Sequence, residues 1–192
     1  DLEDEEVKYI IEKVNEFSGA ALTEGEVRDV HNGNFFNNKD NKLKDVDWVK
    51  YRNFIYDHIV QLKIENSTKD ILHKLSAAHE LFVITSGGKK NISEYLENNG
   101  IGECFKEVLG GEFSRSKVEK FNFLFEKYSL TPDNCIFITD TLGDILEANE
   151  IGIKTIAVDF GYHSKETLEQ GKPFKIVSSF DAVFETVTAL SV

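Results

Sequence analysis

Two carboxylates four residues apart, Asp140 and Asp144, follow the apolar run Cys135-Ile136-Phe137-Ile138-Thr139. A short β-branched run bounded by turn residues reads as a buried parallel strand entering a helix, and Ile145, Leu146 and Ala148 return to the core behind it. Open α/β sheets place ligands beyond the carboxyl ends of their strands. Two acids held together there repel unless a cation lies between them, and oxygen-only ligation suits Mg²⁺. The plainer alternative is that Asp140 and Asp144 only cap the helix that follows, since Asp favours helix starts.

Two further groups fall at matching places. Leu81 to Ile84 reads as a strand that ends in Thr85-Ser86-Gly87-Gly88. The hydroxyl of Thr85 and the glycine N–H groups at the mouth of the next helix form a cradle for an anion. Lys117, at the start of a later helix, brings an ammonium that could meet the same anion. A hydroxyl, an ammonium and a metal-binding acid pair converging on one point describe a phosphate site. Taken singly, Thr85 is a turn hydroxyl and Lys117 a solvated surface lysine.

The elements that must position these groups divide the chain at about residue 64. Residues 1–64 read as a small helical subdomain. Val7, Ile10, Ile11, Val14 and Phe17 repeat at helical spacing, Thr23 with Glu26 makes a capping box, and Trp48, Tyr51, Phe54, Ile55, Ile59 and Leu62 mark a longer helix. His31, Asn34 and Arg52 are available there to face a substrate. From residue 65 the rhythm alternates between strand and helix. Ser67 caps a helix carrying Ile71, Leu72 and Leu75, and strands are expected over 81–84, 105–109, 135–139, 155–158 and 174–177. Helices are expected near 90–99, 116–128 and 144–150. This alternation predicts an α/β fold, a doubly wound parallel sheet with helices on both faces.

Composition narrows the function. Acidic residues outnumber basic ones 34 to 22 for a formal charge of -12, which argues against nucleic acid, bound as it is through Lys and Arg stripes. An acidic protein that handles phosphate esters needs a local cation, so charge and metal agree. Cys104 and Cys135 sit in or beside apolar runs as free thiols do, and no Cys/His spacing points to zinc. Without a long apolar span or a signal-peptide pattern, the sequence predicts a soluble, cytoplasmic protein with no membrane partner. Oligomeric state is not legible. The chain opens on Asp1 and holds no Met, which predicts a start that is processed or cut.

The order V-I-T-S-G (83–87), S-K-V-E-K (116–120), F-I-T-D-T-L-G-D (137–144) resembles the second, third and fourth motifs of the haloacid dehalogenase superfamily. A-V-D-F-G-Y-H-S (157–164) is similar to the segment after the last motif in its phosphoglycolate-phosphatase-like members. The stretch 5–64 occupies the place of their first-type helical cap. The resemblance implies a Rossmannoid core and a Mg²⁺-dependent phosphatase that hydrolyses a small phosphorylated metabolite through an aspartyl-phosphate. It implies that Thr85, Ser86, Gly87 and Lys117 hold the phosphoryl group, with Lys120 the alternative lysine. Asp140 would bind the metal, and Asp144 would bind or orient it. Thr139 stands where the family often has Gly, a departure expected to stiffen the turn.

One departure is larger. The family's nucleophile and general acid lie in D-x-D-x-T after an apolar strand, and no such run occurs among the 192 residues. Asp1-Leu2-Glu3-Asp4-Glu5 has no strand before it, Glu at the third position and no Thr after. The resemblance sets that strand between those ending at Thr85 and Asp140, and buried unpaired backbone groups cost about 1 to 3 kcal/mol each. The expectation is a native polypeptide extending upstream of Asp1 by a strand and a motif. Other readings are an inactive relative that binds a phosphometabolite or partner, a phosphomutase or a dehalogenase of the same superfamily, and a response-regulator-like module that binds Mg²⁺ without hydrolysis. The last has no use for a helical insertion before Thr85.

Overall fold

The computed structural model describes residues 8–9, 11–13, 15–16, 23 and 48–190. Most of the amphipathic helix expected over residues 7–17, Glu26 of the capping box, His31, Asn34 and the side chains of Trp48, Tyr51, Arg52 and Ile55 lie outside the described residues. Ile11 is helical and buried.

The main elements run, in chain order, α1 (Trp48–Ile59), α2 (Asn66–Ala78), β1 (Leu81–Ile84), α3 (Lys89–Asn98), β2 (Phe105–Leu109), α4 (Lys117–Tyr128), β3 (Ile136–Thr139), α5 (Leu142–Glu150), β4 (Lys154–Val158), α6 (Lys165–Glu169), β5 (Lys175–Val177) and α7 (Phe180–Leu190). The alternation expected from residue 65 is present. Among the described residues the strands form two parallel sheets rather than one, β1-β2 and β3-β4-β5. The chain packs as two compact units, one of Asp1–Phe54 with Thr131–Ser178, the other of Ile55–Leu130 with Ser179–Val192.

In the second unit β1 and β2 are in parallel register, with Val83 opposite Val108 and Ile84 opposite Leu109. Parallel pairing aligns their carboxyl ends, and the ladder continues past them. Thr85 N–H donates to Leu109 O at 3.0 Å and Gly111 N–H to Gly87 O at 2.8 Å. The Thr85 loop is thereby laced to the turn after β2. Gly111 is required at this crossing, because a Cβ there would stand 2.5 Å from Ser86 O. Leu96, Ile101, Cys104 and Val108 form the core beneath. At its border the buried Asn99 accepts from Ile64 N–H at 2.9 Å and donates to Leu62 O at 3.0 Å and Tyr95 O at 2.9 Å. Asn99→Ala strands those backbone groups, and we expect it to cost on the order of 1 to 3 kcal/mol. The check is a fall in the urea midpoint at unchanged slope.

The first unit holds β3-β4-β5, again parallel, with Thr139 opposite Ala157 and Val158 opposite Val177. Ile145, Ala157 and Leu168 are fully buried and tie α5 and α6 to β4. The alignment puts the residues after Thr139, Val158 and Val177 at one edge. No helix among the described residues is long and apolar enough to cross a membrane.

Some element starts differ from expectation, for local reasons. α2 begins at Asn66 after Glu65, so Ser67 lies inside the first turn, where its hydroxyl meets the Glu65 carboxylate at 3.4 Å. α5 begins two residues before Asp144, because Thr141 takes the cap and its Oγ1 accepts from Asp144 N–H at 3.4 Å. α6 and α7 are additions to the sequence reading. The signal for α7 was present in Val183 and Val187, both buried and one turn apart.

Candidate active site

Each compact unit carries one cluster of the sequence-predicted residues. In the unit with β1 and β2, Thr85 leaves the strand half-buried, and its Oγ1 accepts from Gly87 N–H at 3.0 Å. The turn-hydroxyl reading of Thr85 is therefore correct as far as it goes. A hydroxyl keeps one proton to donate and a second lone pair, so this bond sets the rotamer and still lets the O–H serve an anion. Ser86 beside it is exposed. The helix mouth behind it is occupied differently from the sequence reading: the Glu112 carboxylate accepts from Lys89 N–H at 2.9 and 3.2 Å. The chain's own carboxylate meets the positive end of α3, so part of the expected anion cradle is filled from within.

Both lysines of the third motif are buried, contrary to the surface-residue alternative. Lys117, the first residue of α4, is 8% exposed and Lys120 is 0% exposed. Ser116 starts this helix by accepting from Glu119 N–H at 3.4 Å. Lys120 Nζ donates to the main-chain O of Thr85 at 2.6 Å, which anchors α4 to the end of β1. Farther along, Lys127 and Tyr128 each donate to the Glu107 carboxylate at 2.8 Å. Burial alone would raise the Glu107 carboxyl, but these bonds hold it below its ordinary range. They fix the far end of the helix to β2.

In the other unit the two aspartates follow the end of β3, Asp140 directly and Asp144 in the first turn of α5. Thr139 Oγ1 donates to Asp144 Oδ2 at 2.8 Å and accepts from Thr141 N–H at 3.4 Å. The Asp144 carboxylate thus lies beside the strand end, one helical turn from Asp140. The Thr139 hydroxyl thereby ties the strand end to the turn that follows it. Asp140 is not a helix cap: its Oδ2 accepts from Tyr162 N–H at 2.9 Å, while Thr141 caps α5. Loop 161–163, which runs against Asp140, had no assigned role in the sequence reading. His163 N–H donates to Asp140 O at 3.1 Å, and its ring Nδ1 accepts from Leu142 N–H at 2.9 Å. The F-G-Y-H string after β4 was visible, but nothing in its spacing pointed to residues 21 and 22 positions earlier.

Asp140 and Asp144 each offer only oxygen as a donor. Among the described residues no group of three or more His, Cys, Asp and Glu side chains is placed to hold a metal. Two carboxylates suit Mg²⁺, which binds through one or two such groups and keeps several waters.

The family model for haloacid dehalogenase-like hydrolases matches residues 7–158. A phosphoglycolate phosphatase of Vibrio parahaemolyticus is 28% identical over 125 residues, 63% of this chain and 55% of that enzyme. The chain spans little more than half the length of the Vibrio relatives it matches. Two solved structures share the fold. A haloacid dehalogenase-like family hydrolase of Streptococcus pneumoniae has a TM-score of 0.75 at 19% identity, covering 94% of this chain and 91% of that one. A Clostridium acetobutylicum protein described as a predicted phosphatase has a TM-score of 0.76 at 21% identity, covering 95% and 90%.

Proposed function

Because the chain belongs to the haloacid dehalogenase-like hydrolase family, we propose that it serves a Mg²⁺-dependent phosphatase activity on a small phosphate monoester. The observation that carries this reading is the acid pair at the end of β3. Asp140 Oδ2 accepts from Tyr162 N–H and Asp144 Oδ2 from the Thr139 hydroxyl. Asp140 and Asp144 would hold the Mg²⁺, which when bound neutralises phosphate charge as a Lewis acid.

The residues of this chain supply binding and orientation. The Thr85 hydroxyl donates to a phosphoryl oxygen, and Lys117 pairs with a second one as a buried point charge. Lys120 keeps the Thr85 carbonyl, and with it the loop, in place. Preorganised donors of this kind stabilise the charge that spreads over the phosphoryl oxygens during transfer. The attacking carboxylate and the proton donor of the aspartyl-phosphate scheme belong to the family's D-x-D-x-T motif, which residues 1–192 do not contain. We assign neither role to any residue here.

The names of the Vibrio relatives make 2-phosphoglycolate the first ester to try. The test is phosphate release by the full-length protein from a panel of small phosphate monoesters, with Mg²⁺ and with EDTA. We expect turnover of at least one ester that EDTA abolishes and added Mg²⁺ restores. Turnover indifferent to EDTA would remove the metal from the scheme. No turnover of any ester would favour a relative that binds without hydrolysing.

A further inference from the structure

Asp140 is gripped from outside its own strand and helix by residues that follow β4. Tyr162 N–H holds carboxylate Oδ2 at 2.9 Å and His163 N–H holds the main-chain O at 3.1 Å, so side chain and backbone of one residue are fixed by two successive amides. The His163 ring, 4% exposed, reaches past Asp140 to Leu142 N–H at 2.9 Å. Leu142 is the first residue of α5, and a helix start leaves such N–H groups without intrahelical partners. Accepting that bond requires an unprotonated Nδ1, which puts the ring proton of the neutral imidazole on Nε2. The loop thus brackets the Asp140-Thr141-Leu142 turn on both sides. Its approach is close enough that a Cβ on Gly161 would collide with Cβ and Oδ2 of Asp140.

We propose that loop 161–163 is a positioning element for Asp140, anchored by His163, which keeps Oδ2 engaged and presents Oδ1 to the ligand. This rests on the reading of Asp140 as a metal ligand. Groups that orient a ligand carboxylate typically change metal affinity by 10 to 100-fold when lost. Here the orienting donors are main-chain N–H groups, so the side chains that set the loop, His163 and Gly161, carry the effect. If His163 only filled space at a helix start, its loss would lower stability and leave the carboxylate alone.

The test uses the full-length protein with His163→Leu, which keeps apolar bulk, and His163→Asn, whose Oδ1 stands where Nδ1 did and can accept from Leu142 N–H. Mg²⁺ affinity is read by calorimetry, the hold on Asp140 by hydrogen exchange of the Tyr162 amide, and folding by thermal melts. We expect His163→Leu to bind Mg²⁺ about tenfold more weakly or worse and to expose the Tyr162 amide, and His163→Asn to restore both. A folded His163→Leu protein with wild-type Mg²⁺ affinity and Tyr162 protection overturns the proposal. Should that variant fail to fold, Gly161→Ala leaves the ring intact and displaces the loop, and unchanged Mg²⁺ affinity there overturns it equally. A wild-type protein that binds no Mg²⁺ refutes the metal role of Asp140, and the loop's hold is then decided by Tyr162 exchange alone.

Discussion

Asp140→Asn is expected to lower Mg²⁺-dependent turnover by on the order of 10³-fold, since a Lewis-acid metal is worth several kcal/mol at the transition state and each 1.4 kcal/mol is a factor of ten. The substitution is nearly isosteric. Its side-chain oxygen can still accept from Tyr162 N–H, the bond that Asp140 makes at 2.9 Å, so the loop around it has no reason to move. What is lost is one negative charge beside Asp144. Without metal, the loss relieves repulsion between two acids at one strand end, and the variant should melt at or above the wild-type temperature. With metal, the wild type gains stability by mass action and the variant gains little. Initial rates at saturating Mg²⁺ and melts with and without Mg²⁺ decide it. Wild-type turnover in the variant would remove Asp140 from the metal site.

The two buried lysines of α4 should separate cleanly. Lys117→Ala is expected to lower kcat/KM by about 10² to 10³, the usual loss when one preorganised charge or donor is removed from a transition state, with a small change in stability. Lys120→Met should instead act through the fold. Its ammonium meets Thr85 O at 2.6 Å in a fully buried position. Met fills the place of the stem but leaves the carbonyl short of a donor, a cost of about 1 to 3 kcal/mol. Kinetics and urea unfolding of both variants give four numbers. If Lys120→Met loses turnover at wild-type stability while Lys117→Ala keeps it, the two lysines exchange roles.

Much of this arrangement was legible along the chain because chemistry and local geometry restrict the same positions. β1 and β2 fall where the apolar runs place them, and α4 starts at Ser116-Lys117, where Ser116 takes the cap. The proposal of Asp140 and Asp144 came from two acids just after an apolar run read as buried, whereas β3 is only partly covered, with Ile138 40% exposed. The cap alternative failed at Asp140 for a reason visible only in the fold: Thr141 is the better cap and α5 starts at Leu142. Lys117 and Lys120 could not be ranked by spacing, since both lie on the first turns of one helix and only packing shows which of them reaches Thr85 O. The anion cradle was over-read, because nothing local to Gly87-Gly88 announces that Glu112 will meet the next amide.

The sequence by itself determined which residue types end each strand and begin each helix, because turns, caps and apolar periodicity are set by neighbours within about one turn of chain. Tertiary structure alone decided the long-range bonds these residues make. Tyr162 meets Asp140 across 22 positions, Glu112 meets Lys89 across 23, and Lys120 meets Thr85 across 35. Each depends on how segments far apart in the chain pack, and the first two also on a glycine, Gly161 and Gly110, at the close approach, which leaves no periodic trace in the order of the residues.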